Sequence, residues 1–366
     1  MIKLSGSRVN NSILDKHIHI CDFINMGIPT LSLYSDGRRN WIYLWCDTDN
    51  VDTHRWLLFR TTREDLSAYL NKEKSLLELI NSNQQSYILD LVILKSAEEE
   101  IKIEDATVSY RRFLTRLDDI HQIDDYLPTS DSFFDPELTC DIALGNELMP
   151  STYEVPITGT WFSGDFENLF RSYERVYAFF YSTRPRFVRT VGDKLAALLR
   201  APWTGGFSRV HLFSQLALNL PAIHSLKIHK FQFASPGEVE FQALSSVGES
   251  IKIATLNYLD NEIELQQAVK LMKAFLTNRN LNKANLSTKS DSEIGLHADE
   301  VSMLKSKCFE IADLLKMNDE MTSLQKHSPN SVVFSKATTS FVKQISKLAE
   351  LEASDMLNFR KKIDVD

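Results

Sequence analysis

Between Arg171 and Arg209 the chain carries eight basic residues against only Glu174 and Asp193. Arg171 and Arg175 stand one helical turn apart, while Arg184, Arg186 and Arg189 crowd around Pro185 and Phe187. Guanidinium groups fork onto phosphate oxygens, and an interleaved aromatic ring can stack on a base. The chemistry on offer is therefore recognition of an anion or nucleic acid, with Arg171, Arg175, Arg184, Arg186, Arg189 and Phe187 as candidate contacts. The sign reverses upstream. Asp118 to Glu147 holds nine carboxylates and no lysine or arginine. Ion pairing with Asp118, Asp119, Asp124 or Asp125 is the competing use of the same arginines, because opposite charges within reach attract most where water is partly excluded.

Other constellations carry less. His17, His19 and Cys21 would share one face of a strand, but a rise of ~3.3 Å per residue puts the outer two roughly 13 Å apart, too far for one metal. Asp47, Asp49 and Asp52 imitate a calcium loop, yet its glycine and bidentate glutamate positions hold Asp52 and Leu58. Gly205-Gly206-Phe207-Ser208 lacks the lysine of a phosphate loop, and no serine stands in a GxSxG setting. No catalytic residue, metal ligand or cofactor is assigned.

The elements that would position these residues read as follows. Leu31–Tyr34 and Trp41–Trp45 flank Ser35-Asp36-Gly37-Arg38, a hairpin signal because Asp-Gly tolerates positive φ. Arg55–Phe59 and Ile88–Leu94 supply further strands, and Thr61 with Glu64 has the spacing of a helix capping box. Trp41 and Trp45 share a strand face and are expected to cover the helix. Residues 1–100 thus read as an α+β sheet-and-helix domain. Residues 101–160 form an acidic connecting segment in which 109–117 is helix or strand. Residues 161–278 read as a helical domain with a β-hairpin. Its helices are expected at 165–181, 191–199, 209–220 and 250–278, and Arg184-Pro185-Arg186 should break the first from the second. The polar run 279–297 reads as a linker. Residues 298–366 read as a helical association element in two helices, 299–325 and 338–361, with Leu304, Ile311, Leu315, Phe341, Ile345 and Leu348 on their apolar stripes.

The stretch from Arg55-Trp56-Leu57-Leu58-Phe59 through Ala68-Tyr69-Leu70 resembles the N-terminal domain of a family of uncharacterised bacterial proteins, in which aromatic strands precede a leucine-rich helix. Phe231-Gln232-Phe233-Ala234-Ser235-Pro236-Gly237-Glu238-Val239-Glu240-Phe241 is similar to a strand–turn–strand segment of such proteins. The resemblance implies a bacterial or phage-related origin near mobile elements or defence genes, and it brings no activity with it.

With 366 residues, 43% hydrophobic and 25% charged, the chain has the composition of a folded multi-domain protein. Four scattered cysteines without a CxxC pair fit a reducing compartment. The N-terminus has no apolar signal core, and no apolar run approaches the ~18 residues of a membrane span, so a cytoplasmic location without a membrane partner is expected. A net charge of −8 argues against a chain that is a polyanion binder over its whole surface. The expected function is a non-catalytic interaction or self-assembling subunit of a bacterial cytoplasmic complex, related to antiviral defence, with a protein or a second copy as partner. The alternative is a nucleic-acid-binding protein using the basic 171–209 region. A second alternative is a hydrolase or nuclease whose site is assembled from distant residues.

Overall fold

The structure, a computed structural model, describes residues 5–25, 29–46, 53–83, 85–93, 100–103, 106–135, 150–202, 210–233, 237–282 and 286–360. Asp47, Asp49 and Asp52, the turn 205–208, Arg209 and the acidic residues Glu137, Asp141 and Glu147 lie outside them. The fold is α+β, as the patterning implies. The chain divides into two compact units, Met1–Met149 with Pro221–Ile223, and Pro150–Leu220 with His224–Asp366.

The first unit is built on β1 (Gly6–Val9), β2 (Ile18–Asn25), β3 (Pro29–Ser35), β4 (Asn40–Cys46), β5 (Thr53–Thr61), β6 (Ser86–Ile93), β7 (Glu100–Ile103) and β8 (Ala106–Leu117), with helices α1 (Arg63–Leu70) and α2 (Leu76–Asn81) between β5 and β6. The antiparallel sheet runs β1-β8-β6-β5-β4-β3-β2, and β7 pairs alongside β8. The sheet therefore extends past residue 100. The undecided segment 109–117 is strand, consistent with its Tyr110, Phe113 and Thr115, which suit a pleated surface. Alternation sorts the side chains to two faces. Leu33, Ile42, Leu57, Phe59 and Ile88 meet Leu66, Tyr69, Leu79 and Ile80 of α1 and α2 on one face. Trp41, Tyr43, Leu58, Tyr87, Leu89 and Leu114 cluster on the other. Trp41 thus lies across the sheet from α1 rather than against it. The helix cap also shifts by one residue: Thr61 is spent on β5, and Thr62 Oγ1 accepts from the Asp65 amide at 3.0 Å.

Two devices tie the sheet at residue level. Asp36 Oδ1 accepts the amides of Arg38 (2.9 Å) and Arg39 (2.8 Å), closing the β3–β4 turn in which Gly37 takes φ 84°. The segment Pro221–Ile223 enters this unit's core. Ala222 donates its amide to Ser35 Oγ (2.9 Å), its carbonyl accepts from buried Arg63 (3.0 Å), and Ile223 is wholly enclosed.

The second unit holds β9 (Ser151–Ile157), helices α3 (Ser163–Thr183), α4 (Pro185–Arg200) and α5 (Val210–Leu218), strands β10 (Lys227–Gln232) and β11 (Gly237–Ala243), and helices α6 (Ser245–Asp260), α7 (Glu262–Asn278), α8 (Asp291–Ile294), α9 (Ala298–Leu315), α10 (Asn318–His327) and α11 (Ser331–Ala353). Its sheet runs β10-β11-β9. Leu169, Tyr173, Val176, Tyr177, Phe179 and Phe180 of α3 are buried. Phe179 stacks on Phe341 of α11 at 4.2 Å, and Tyr173 on Phe241 of β11 at 4.6 Å.

Several expected boundaries move, each for a local reason. Pro185 opens α4 instead of leaving a loop, since the first helical position has no amide bond to lose. The stretch 250–278 divides at Asn261, whose φ of −125° and ψ of 26° are not helical. The stretch 299–325 divides at Lys316, held left-handed at φ 59°. The last helix begins at Ser331 because Asn330 Oδ1 caps it, accepting from the Val333 amide at 2.8 Å. The run expected as a linker is bonded into the unit. Asn330 Nδ2 donates to the carbonyls of Leu286 (2.7 Å) and Lys289 (2.8 Å), and Ser331 donates twice to Asp291. The expected association residues Leu304, Ile311, Leu315, Phe341, Ile345 and Leu348 are all fully buried in this unit's own core. Their stripes serve intramolecular packing and offer no surface to a second copy.

Candidate functional site

On the second unit, α7 and α11 face each other across an open groove of about 600 Å³. Helical periodicity sets its two walls. Gln266, Lys270, Lys273 and Thr277 recur at three- and four-residue steps along α7, and Thr339, Val342, Lys343 and Ser346 do so along α11. Tyr258 of α6 lies at the base, 5% exposed, with Gln266 and Ser346 as its hydrogen-bond partners. Burial, with the charges of Glu262 and Glu350, pushes its phenol above the usual tyrosine range, while the bonds to Gln266 and Ser346 oppose the shift. The groove lining holds three lysines and no carboxylate. Thr277 and Asn278 add a hydroxyl and an amide to the charges, while the Thr339 and Ser346 hydroxyls donate to the carbonyls of Lys336 and Lys343 within α11.

The positive surface continues beyond the groove. Lys347 lies one turn past Lys343, and its ammonium is pushed down by burial and then by Arg175, Lys343 and Arg171, with Glu350 opposing. Arg175 is likewise pushed down by burial and by Arg171, with Glu174 opposing. Its Nη1 donates to Gln344 Oε1 of α11 at 3.4 Å. Arg171 is exposed and ion-paired with Glu167 one turn back. Lys347 and Arg175 both feel cationic neighbours, and the region they share links α3 to the groove through Lys343.

The six residues expected from the basic block thus separate. Arg171 and Arg175 belong to this face. Arg184 does not. It is turned inward, donating to Ser246 Oγ (2.7 Å), Ser246 O (2.6 Å) and Ser250 Oγ (2.7 Å), with Glu320 at 3.8 Å. It joins the α3–α4 junction to α6 and α10 and is not a solvent-facing loop cation. Arg186, Phe187 and Arg189 fall in the first turns of α4, and their side chains lie outside the described residues. Lys270, Lys273, Lys343 and Lys347 escape a reading by charge density because two helices 70 residues apart supply them. Their spacings, three on α7 and four on α11, are the one signal they leave.

Elsewhere His17 Nδ1 meets Tyr43 Oη at 2.7 Å and His19 Nε2 meets Asp22 at 2.7 Å, so the two histidines serve different partners. No group of three or more His, Cys, Asp or Glu suited to a metal occurs among the described residues. Among the described residues no helix is long and apolar enough to cross a membrane. No protein-family model, curated protein or solved structure matches the chain.

Proposed function

We propose that the second unit binds a nucleic-acid backbone along α3, α11 and α7. One observation carries the reading: Lys343 is shared between a carboxylate-free groove with Lys270 and Lys273 and the Arg171–Arg175–Lys347 cluster. Such a row neutralises successive phosphates and releases their counterions, which makes affinity fall with salt. The net charge of −8 disfavours binding over the whole surface. Fluorescence anisotropy of labelled single strands and duplexes across a salt series tests it. The triple variant Lys270→Gln, Lys273→Gln, Lys343→Gln should flatten the duplex log–log slope by about 2 to 3. An unchanged slope, or no binding by the wild-type chain at low salt, would remove the reading.

A second reading, the interaction subunit, is favoured by a different observation. Phe162, Ile228, Phe231 and Phe233 are 74%, 52%, 43% and 54% exposed, and Phe166 touches both Phe231 and Phe233 edge-on at 5.0 and 5.7 Å. An exposed aromatic patch of this kind marks a contact surface. Strand β10 ends its sheet, but the register shift between Ile228 and Lys230 and the pairing of Lys230 with Glu238 and Glu240 blunt that edge. The contact would be made by side chains with a second copy of the chain. Light scattering on the wild type and on Phe231→Ser/Phe233→Ser decides it, a monomer in both cases ending this reading.

A further inference from the structure

We infer that the first unit carries a separate binding site for a phosphate oxyanion, formed by Arg39, Arg60 and Arg116 beside Trp41. The sheet register builds it. Arg60 of β5 pairs with Trp41 of β4, and Arg116 of β8 pairs with Tyr87 of β6. Trp41 and Tyr87 touch at 5.8 Å, so both pairs meet at one end of the same face. The Arg60 guanidinium lies over the Trp41 ring at 4.7 Å, which fixes its plane. Arg39 stands in the β3–β4 turn, its backbone amide on Asp36 Oδ1, and its charge is one that Arg60 feels.

Three features point to an anion. The Arg60 charge is disfavoured by burial, then by Arg39, with Arg116 adding to it, while Tyr87 and Asp36 oppose. Asp36, the carboxylate that Arg60 feels among the described residues, is already engaged by the Arg38 and Arg39 amides and by Trp41 Nε1 at 3.1 Å. Two buried nitrogens of this cluster, Arg60 Nε and His17 Nε2, have no hydrogen-bond partner among the described residues. His17 packs on Trp41 at 4.5 Å and feels both Asp36 and Arg60. The half-buried Arg60 feels the charges of exposed Arg39 and Arg116, and none of the three is in an ion pair among the described residues, so Arg60 has no counter-anion of its own. Phosphate matches the planar forks of arginine. Trp41 is 1% exposed and cannot stack on a base. Recognition is therefore of the phosphate group, which either a small phosphate compound or a nucleic-acid strand can present.

The site is independent of the groove on the second unit, and the experiment keeps the two apart. The full chain is titrated with inorganic pyrophosphate, and separately with a short single-stranded oligonucleotide, by calorimetry at low ionic strength. The pyrophosphate titrations are made in the groove triple variant's background as well as in the wild type, so that any binding by Lys270, Lys273 and Lys343 is removed. Arg60→Gln and Arg116→Gln should each weaken binding about tenfold or more, while Arg38→Gln, an exposed neighbour in the same turn, should leave it unchanged. Pyrophosphate should also raise the melting temperature of the wild type and not of Arg60→Gln, a readout that checks folding of the variant. Oligonucleotide binding that Arg60→Gln weakens in the groove variant's background would assign the site to a strand; pyrophosphate binding alone would assign it to a small compound. Absence of pyrophosphate binding by the wild type, or equal affinity in Arg60→Gln and Arg116→Gln, would overturn the site.

Discussion

His17 shows how one residue couples the aromatic face of the first unit to pH. Enclosed against Trp41 and Tyr43, its imidazole loses hydration, and burial pushes its pKa down to about 4, with Asp36 opposing and Arg60 reinforcing the shift. Between about 6.5 and about 4 the unfolded chain takes up a proton at this position that the folded chain refuses. Stability contributed here is complete above the upper value and is lost as pH falls toward the lower one. The ring is half-buried, so solvent screening leaves on the order of 1–2 kcal/mol of the shift. Urea denaturation at pH 7 and pH 5 should show that loss in the wild type, and His17→Phe should reduce it. An equal loss in the variant would place the pH sensitivity elsewhere. Arg184 teaches a different lesson at this scale. Its sequence neighbours mark it as a candidate phosphate contact, and only the fold reveals Ser246, Ser250 and Glu320 around its guanidinium.

At the scale of elements, α6 makes a testable contact with β9. Gly248 lies inside α6, where glycine is ordinarily unfavourable by about 1 kcal/mol relative to alanine. A Cβ there would stand 2.8 Å from the Tyr153 ring, so the missing side chain is what lets the helix approach the strand. Gly248→Ala should therefore destabilise by about 1–3 kcal/mol despite its better helix propensity. The cost should shrink in a Tyr153→Leu background, and thermal melts of the two pairs give the coupling. The elements readable in the chain were those with local causes. The Asp36-Gly37 turn, the aromatic strands 41–45 and 55–59, and the helix over 165–181 are written in adjacent residues. The break at Asn261 and the left-handed Lys316 interrupt apolar rows whose three- and four-residue spacing runs on regardless, so periodicity alone joins helices that the backbone separates. Pro185 has two opposite meanings, helix breaker or first helical residue, and its neighbours do not choose between them.

For the whole molecule, the C-terminal helices are the clearest departure from expectation. Apolar stripes on 299–361 look the same in sequence whether they close a core or recruit a copy. Here they close the core, and Phe341 against Phe179 and Phe180 is typical. A chain ending at residue 290 should lose cooperative unfolding of the second unit, bind a hydrophobic dye and yield to protease through 163–278. A compact, protected 1–290 would detach these helices from the core. The candidate groove was illegible for a related reason, since Lys270, Lys273 and Lys343 are ordinary surface lysines until α7 and α11 meet. The short excursion at Pro221–Ile223 bears on something else, the order in which the protein can be made. During synthesis the first 149 residues leave the ribosome well before Ile223, the side chain that completes their core. Arg63 and Ser35 wait equally long for the Ala222 backbone. The nascent sheet must therefore persist unfinished while more than seventy further residues are translated, which makes this interval the natural point for a chaperone to act.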